Sequence, residues 1–379
     1  MSLHVTRGAV TTNVNTTTII RDVDPKVFFL QSAIAPLIGF LKRMKRGEKA
    51  ANYKYEWIEK DQGTPLTTAD GGETDSATEL DVAAGAGVMF TGGDLLWIPS
   101  TGEQISVTSV ATDKLTIVRA YGETAAAAIP NGAVVVKLGS AFAEGTTSPT
   151  GISLNPTIPY NYTQIFKTTA ECTRTEAQTD RYDVKNPKMT ERRNEAMILH
   201  LEEMERAYLF GELKIDLTGS TPRHVGRGFK KWITTNVHDC SASFTKAKFD
   251  AFLAAIFMYG GVNKVLLASS GMLDAIHAEV LGNSNMNIEP KTKDWGLSIT
   301  RYRSPYGDID IVYHRLLSQV LNGYGFAVDL DCLKERSLQN TRVKMNVAAN
   351  DYDGFKDEIL TESHIQLMLE KKHGIIYNP

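Results

Sequence analysis

Two short stretches about a hundred residues apart alternate aromatic and polar side chains. The first is Asn52-Tyr53-Lys54-Tyr55-Glu56-Trp57-Ile58-Glu59; the second is Tyr160-Asn161-Tyr162-Thr163-Gln164-Ile165-Phe166-Lys167. A period of two is the mark of a strand, so Tyr53, Tyr55 and Trp57 share one face, as do Tyr160, Tyr162 and Phe166. The two stretches fit together as the sides of one long hairpin. Whatever lies between them is then an insertion whose ends sit side by side.

That insertion is rich in Gly, Ala and Thr, and its apolar runs follow turn residues at regular spacing. Residues 94–98 follow Gly92-Gly93, and 104–109 follow Thr101-Gly102. Residues 114–119 follow Thr112-Asp113, and 133–138 follow Pro130-Asn131-Gly132. The spacing predicts a small β-sandwich or barrel over residues 82–142, carried on a hairpin formed by residues 50–81 and 143–173.

Ahead of the hairpin, the first 26 residues are rich in Thr, Val and Asn and bury little by themselves. They read either as a loose terminus or as an arm that orders against a partner. From Asp24-Pro25 an apolar run with Val27, Phe28, Leu30, Ile34, Leu37, Ile38 and Leu41 predicts a short helix. Gln31, Ser32 and Pro36 interrupt this run, which is too short for the roughly 20 apolar residues of a membrane span. The first 14 residues carry no signal-peptide pattern, so a soluble chain is expected. A basic cluster follows: Lys42, Arg43, Lys45, Arg46 and Lys49. It reads as a solvated face, or as a contact with nucleic acid or with a neighbour's acidic face.

Beyond the second aromatic stretch, the pattern predicts a helix over 187–210. Asn186 would cap it, Pro187 sit in its first turn and Gly211 stop it. Met197, Leu201, Met204 and Tyr208 recur on one side, with Glu191, Arg192, Glu195, Glu202 and Arg206 opposite. A helix of that length runs ~35 Å and suits a strut. From Arg223 onward the pattern is α/β. Thr245 caps a helix holding Phe249, Phe252, Leu253, Ile256 and Phe257, ended by Gly260-Gly261. A buried strand over 265–268, a helix over 272–281 and a hairpin of 298–303 with 309–314 follow, then a strand over 327–330. Residues 358–377 read as a strand pair turning at Lys372-His373-Gly374.

No stretch announces chemistry. Dinucleotide, P-loop, zinc-protease and nucleophile-elbow motifs are all missing. Cys172, Cys240 and Cys332 form no spaced pair, and an odd count argues against a disulfide framework or zinc site. His200, within the long helix, reads as a packing or surface residue. The acidic stretches Asp22-Val23-Asp24 and 70–75 match no calcium loop, and the second reads as solvated. A net charge of −3 is not that of a protein built mainly to grip nucleic acid. Only Lys54 and Lys167 accompany the aromatic strands, too few bases for stacking on single-stranded nucleic acid. No catalytic residue, cofactor or metal is expected, and the chain does not read as an enzyme.

The order of parts is informative: a weakly structured arm, a long hairpin, a strut helix, an α/β region and closing strands. It resembles the Hong Kong 97 fold of tailed-phage capsid proteins. Asp24-Pro25 with the run to Leu41, then Tyr55-Glu56-Trp57, look like the arm and E-loop of one large family of phage major head proteins. Arg174-Thr175-Glu176 and the helix to Gly211 look like its spine helix; Val328-Asp329-Leu330-Asp331 and Asp357-Glu358-Ile359-Leu360-Thr361-Glu362 look like its closing segments. The basal family fold lacks the insertion.

The resemblance implies an α+β chain. Its parts would be an N-terminal arm with a short helix (1–49), an E-loop (50–81 and 143–173) and an inserted all-β domain (82–142). A peripheral domain with the spine helix (174–222 and 340–379) and an axial domain (223–339) complete it. It implies self-assembly, in hexamers and pentamers, into an icosahedral head around double-stranded DNA. The chain would belong to the virion, be assembled in the host bacterial cytoplasm and touch no membrane. Portal, scaffold and decoration proteins are the further implied partners. An encapsulin-like compartment of the same fold, a tail or adhesin component, and a hydrolase with a β carbohydrate-binding module are the alternatives.

An isolated hairpin is marginal in water, so its aromatic face needs cover. The expectation is that a neighbouring subunit covers Tyr53, Tyr55 and Trp57, with Tyr160, Tyr162 and Phe166. Burying the first three would remove ~450–600 Å² from water, worth ~11–15 kcal/mol before association costs of ~4–15 kcal/mol. Lys42, Arg43, Lys45 and Arg46 are the expected inner-face residues toward DNA.

Overall fold

The computed structural model describes residues 36–61, 66–148, 151, 153–179, 188–241, 243–282, 288–290 and 299–378. The expected arm, the helical run before Pro36 and the Asn186-Pro187 cap lie outside the described residues. Two compact units emerge: Met1–Trp57 with Pro159–Pro379, and Ile58–Ile158.

The first unit holds two main sheets. One has four strands in the order Gly47–Lys49, Leu333–Lys344, Gly354–Leu367, Gln164–Thr173. The first pair is parallel and the others antiparallel. The long helix Lys188–Phe210 packs on this sheet, ending where Gly211 was expected to stop it. The strand Gly354–Leu367 is central and almost wholly buried from Ile359 onward. On a strand covered on both faces an unpaired polar group is costly, and most buried polar side chains of this strand find partners, His364 Nε2 being an exception. Its Thr361 meets His200 Nε2 at 2.8 Å and Thr341 at 2.9 Å. Glu362 accepts from Thr163 at 3.0 Å, and Ser363 meets the Tyr208 hydroxyl at 2.7 Å. His200 is thus a packed, hydrogen-bonded core residue.

The other sheet has seven strands in the order Val237–Asp239, Gly374–Tyr377, Tyr324–Val328, Asn263–Ala268, Gly307–Tyr313, Ile299–Ser304, Ile288–Pro290. Its central strand reads Val265-Leu266-Leu267-Ala268, all buried, because both faces are covered. Leu266 and Ala268 face the core built by Phe249, Phe252, Leu253 and Ile256 of helix Lys246–Phe257. Val265 and Leu267 face the opposite core, with Phe229, Leu316 and Leu317. Thr245 caps the helix Lys246–Phe257 by accepting from Lys248 N.

The C-terminal strands do not pair as expected. Gly354–Leu367 lies in the four-stranded sheet and Gly374–Tyr377 in the seven-stranded one. Between them Leu369 takes φ 55 and Glu370–Lys372 form a 3-10 turn, which carries the chain from one sheet to the other. The strand Leu333–Lys344 was not foreseen, and it crosses the expected 339/340 division.

The second unit is a six-stranded antiparallel sheet ordered Leu66–Thr68, Val134–Ser140, Asp94–Ile98, Glu103–Ala111, Lys114–Val118, Glu79–Asp81. A further bridge, Ala69 to Val82, joins its first strand to its last, so the sheet closes into a barrel. Leu80, Leu96, Ile98, Ile105, Leu115 and Val135 fill the interior at 0% exposure. Gly102, at φ 71, makes the turn into the Glu103–Ala111 strand. Two of the six strands lie before residue 82. Each has three residues, too few to reveal an alternation in the sequence.

Candidate assembly surfaces

The aromatic hairpin forms, but only briefly. Lys54, Tyr55 and Glu56 pair with Tyr162, Asn161 and Tyr160. Its aromatic face turns into the subunit's own core. Tyr55, Trp57, Tyr162 and Phe166 are 7%, 8%, 8% and 6% exposed. Trp57 lies 5.3 Å from Trp232 between ring centroids, and Phe166 lies 6.4 Å from Tyr208. The Tyr55 hydroxyl donates to the Ile365 carbonyl at 2.7 Å, and burial raises its pKa far above the ordinary phenol value. These four side chains therefore offer no surface to a neighbour. Alternation tells which residues share a face; it does not tell which body covers that face. The cover comes from Met204, Tyr208, Phe229 and Trp232, all distant in sequence. Tyr53 and Tyr160 keep 43% and 38% of their surface, Tyr53 stacked at 4.5 Å on His224 and Tyr160 under the Lys54 ammonium at 4.5 Å.

The start of helix Pro36–Arg43 is locked by a carboxylate from the long helix. Glu205, fully buried, accepts from Leu37 N at 2.7 Å and Ile38 N at 3.0 Å. Its Oε1 also receives His314 Nε2 at 2.8 Å. The other His314 nitrogen, Nδ1, accepts from Leu317 N at 3.0 Å, so the ring proton sits on Nε2 and points at Glu205. Two first-turn amides, a histidine and one carboxylate thus tie three distant segments together. The sequence signal was available but weak: Glu205 sits beside Met204 and one turn before Tyr208 and Leu209, where the helix faces the core.

The basic cluster borders a groove of about 710 Å³ whose lining includes Lys42, Lys45, Lys49, Leu338, Asn340 and Thr341. Arg46 is withdrawn from the expected set, since it is ion-paired with Asp331. Arg43 lies in the same helix as Lys42. Two carboxylates also line the groove, and both are occupied. Glu48 accepts from Lys334 at 2.9 Å and Arg336 at 2.8 Å, which holds its carboxyl below the usual range. Glu335 accepts from the Tyr208 hydroxyl at 2.9 Å. Lys42, Lys45 and Lys49 are exposed and have no ion-pair partner among the described residues.

Among the described residues no three His, Cys, Asp or Glu side chains converge as a metal site, and no helix is long and apolar enough to cross a membrane. The three cysteines are buried and unpaired.

Comparison with known proteins adds to this geometry. A family model described as SU10 major capsid protein matches residues 8–379. The major capsid protein of Pseudomonas phage PaMx41 is 25% identical over 266 residues, which is 67% of this chain and 63% of that protein. The aligned region thus spans less than two thirds of the relative's length. A solved chain from Mycobacterium phage Bobi superposes with a TM-score of 0.53 at 9% identity, covering 98% of this chain and 99% of that one. A chain from the capsid of a native GTA particle gives 0.51 at 8% identity, with 98% and 99% coverage. At such identities the solved structures share the fold.

Proposed function

The chain belongs to the SU10 major capsid protein family and has the Hong Kong 97-like fold of phage capsids, and on that premise we propose that it builds the head of a tailed phage. Copies of it assemble into hexamers and pentamers and close an icosahedral shell around double-stranded DNA. The match over residues 8–379 carries this reading. It is a structural role: the subunit positions surfaces and catalyses nothing.

The two units divide the labour by charge. Residues 58–158 hold twelve acidic and four basic side chains; the remainder holds 32 acidic and 37 basic. Three of the four barrel bases are already used. Arg119 pairs with Glu103, Lys137 with Asp94, and Lys114 with Glu79 and Asp81. Packed DNA repels such a surface, so the first unit supplies the DNA-facing wall, through backbone charge and without reading sequence. Tyr53 and Tyr160, the exposed members of the hairpin, contact a neighbouring subunit, and the N-terminal arm does the same. Portal, scaffold and decoration proteins are the further partners, and assembly takes place in the host cytoplasm.

Electron microscopy of particles purified from infected or expressing cells, with a nuclease-protection assay, tests the proposal. Closed shells with protected DNA from infected cells are expected. Shells filled with an enzyme would make the chain a compartment protein, and tubes or fibres would make it a tail component.

A further inference from the structure

The basic groove and the barrel each carry charge with no counterpart at home. Lys42, Lys45 and Lys49 surround the groove, and its two carboxylates are already engaged. In the barrel unit, the loop Asp70-Gly71-Gly72-Glu73-Thr74-Asp75 places three carboxylates within six residues. None of Asp70, Glu73 and Asp75 has an ion-pair partner among the described residues. The loop is nonetheless held in shape. Gly71 N donates to Asn131 Oδ1 at 3.0 Å, and Glu73 and Ile129 exchange both backbone hydrogen bonds, at 2.9 and 2.8 Å.

Like charges confined this closely repel; water, salt and the Arg119 guanidinium on the Thr74 carbonyl relieve this in part, and a complementary patch of opposite charge relieves it further. We propose that the acidic loop 70–75 of one subunit docks on the Lys42/Lys45/Lys49 groove of a neighbouring subunit in the shell. This rests on the shell-building reading above and names one of its contacts. The match is of kind and number: three ammonium groups and three carboxylates. Asn340 and Thr341 add neutral donors to the groove. Beyond Ser337 the strand Leu333–Lys344 has no second strand partner among the described residues, so its outer edge offers backbone N–H groups as well. A concave seat floored by a strand edge suits a peptide loop better than the convex wall of a DNA duplex. Lys42 and Lys45 are thereby reassigned from the DNA contact to a subunit contact. Because the loop and the groove are different patches, the contact is head-to-tail, the kind that builds rings of subunits.

Charge exchange tests this. K42E/K45E/K49E and D70K/E73K/D75K each lower the yield of closed shells about tenfold or more, and the six-fold variant carrying both sets recovers most of it. Wild-type yield also falls as salt rises toward about 1 M, where the screening length shrinks to roughly 3 Å. If a reversal variant fails to fold, the neutral sets K42Q/K45Q/K49Q and D70N/E73Q/D75N decide. The two combined should lower yield no further than one alone; independent, multiplying losses refute the contact. Normal yield from the loop variant also overturns the proposal. If the lysine variant then gives shells that hold less DNA, the groove faces the genome. If it gives fewer shells, the groove takes another acidic segment, such as that holding Asp22 and Asp24. Absence of shells from the wild-type control would instead sink the shell-building reading itself.

Discussion

Replacing Glu205 by Ala removes one carboxylate that three donors share. Leu37 N, Ile38 N and His314 Nε2 all lose their acceptor inside a region with no solvent access at Glu205. Each buried, unpaired donor costs about 1–3 kcal/mol, and breaking a buried charged network costs about 3–5 kcal/mol in total. The helix Pro36–Arg43 can limit the damage by detaching, because its amides then find water. Its hold is Leu37, Ile38 and Leu41, which are 1–2% exposed and pack into the main core. At 1.36 kcal/mol per decade, 3–5 kcal/mol raises the detached population by about two to nearly four orders of magnitude. Hydrogen exchange followed by mass spectrometry reads this directly on the dissociated subunit. The peptide holding residues 36–43 should lose protection by that factor in E205A, while the barrel peptides stay unchanged. Protection within threefold of wild type would refute the lock and with it the reasoning that a buried carboxylate fixes the start of this helix.

Three further outcomes are expected. His373 and His364 are buried without charge, with pKa values pushed down by burial to about 4 and about 3. Below the unfolded value of 6.5 the unfolded chain takes up protons that the folded chain refuses. Stability is therefore full above pH 6.5 and falls as the pH drops to 4 and then 3, by about 3 kcal/mol for His373 alone, and urea midpoints across that range should show the slope. Gly228→Ala would place a Cβ 2.7–2.9 Å from Gly211 N, Tyr208 O and Ala207 O, all backbone atoms that cannot yield, so a loss of about 3 kcal/mol or more is expected in the same assay. Arg119→Ala leaves Glu103 buried with its main counter-charge gone and should cost the barrel about 3–5 kcal/mol, read as protease cutting within residues 58–158 while the rest of the chain resists.

Local rules carried much of the fold in the sequence. Thr245 and Gly211 marked helix ends, and Gly92-Gly93 and Thr101-Gly102 marked barrel turns, because caps and turns depend on a few neighbouring residues. What the sequence hid was which distant surfaces meet. Tyr55 and Trp57 read as an aromatic face without cover, and the cover is Tyr208 and Trp232 from the same chain. Glu205 looked like one more charge on a helix, and its role appears only when His314 and Leu37 arrive beside it. The C-terminal strands read as a hairpin because a turn signal separates them, and nothing local says that the turn changes sheets. Of the candidate surface residues, Lys42 and Lys45 stay exposed and Arg46 does not stay free, a difference made by Asp331 nearly three hundred residues away.

The chain belongs to a major capsid protein family, and the shell-building role proposed for it requires that copies associate. Measuring the mass distribution of the protein expressed alone, by analytical ultracentrifugation over a hundredfold range of concentration, tests it most directly. A discrete megadalton boundary that grows with concentration, with rings or closed particles in the same sample, is the expected result. A single sharp boundary at the mass of one chain, unchanged up to the highest concentration, would contradict it.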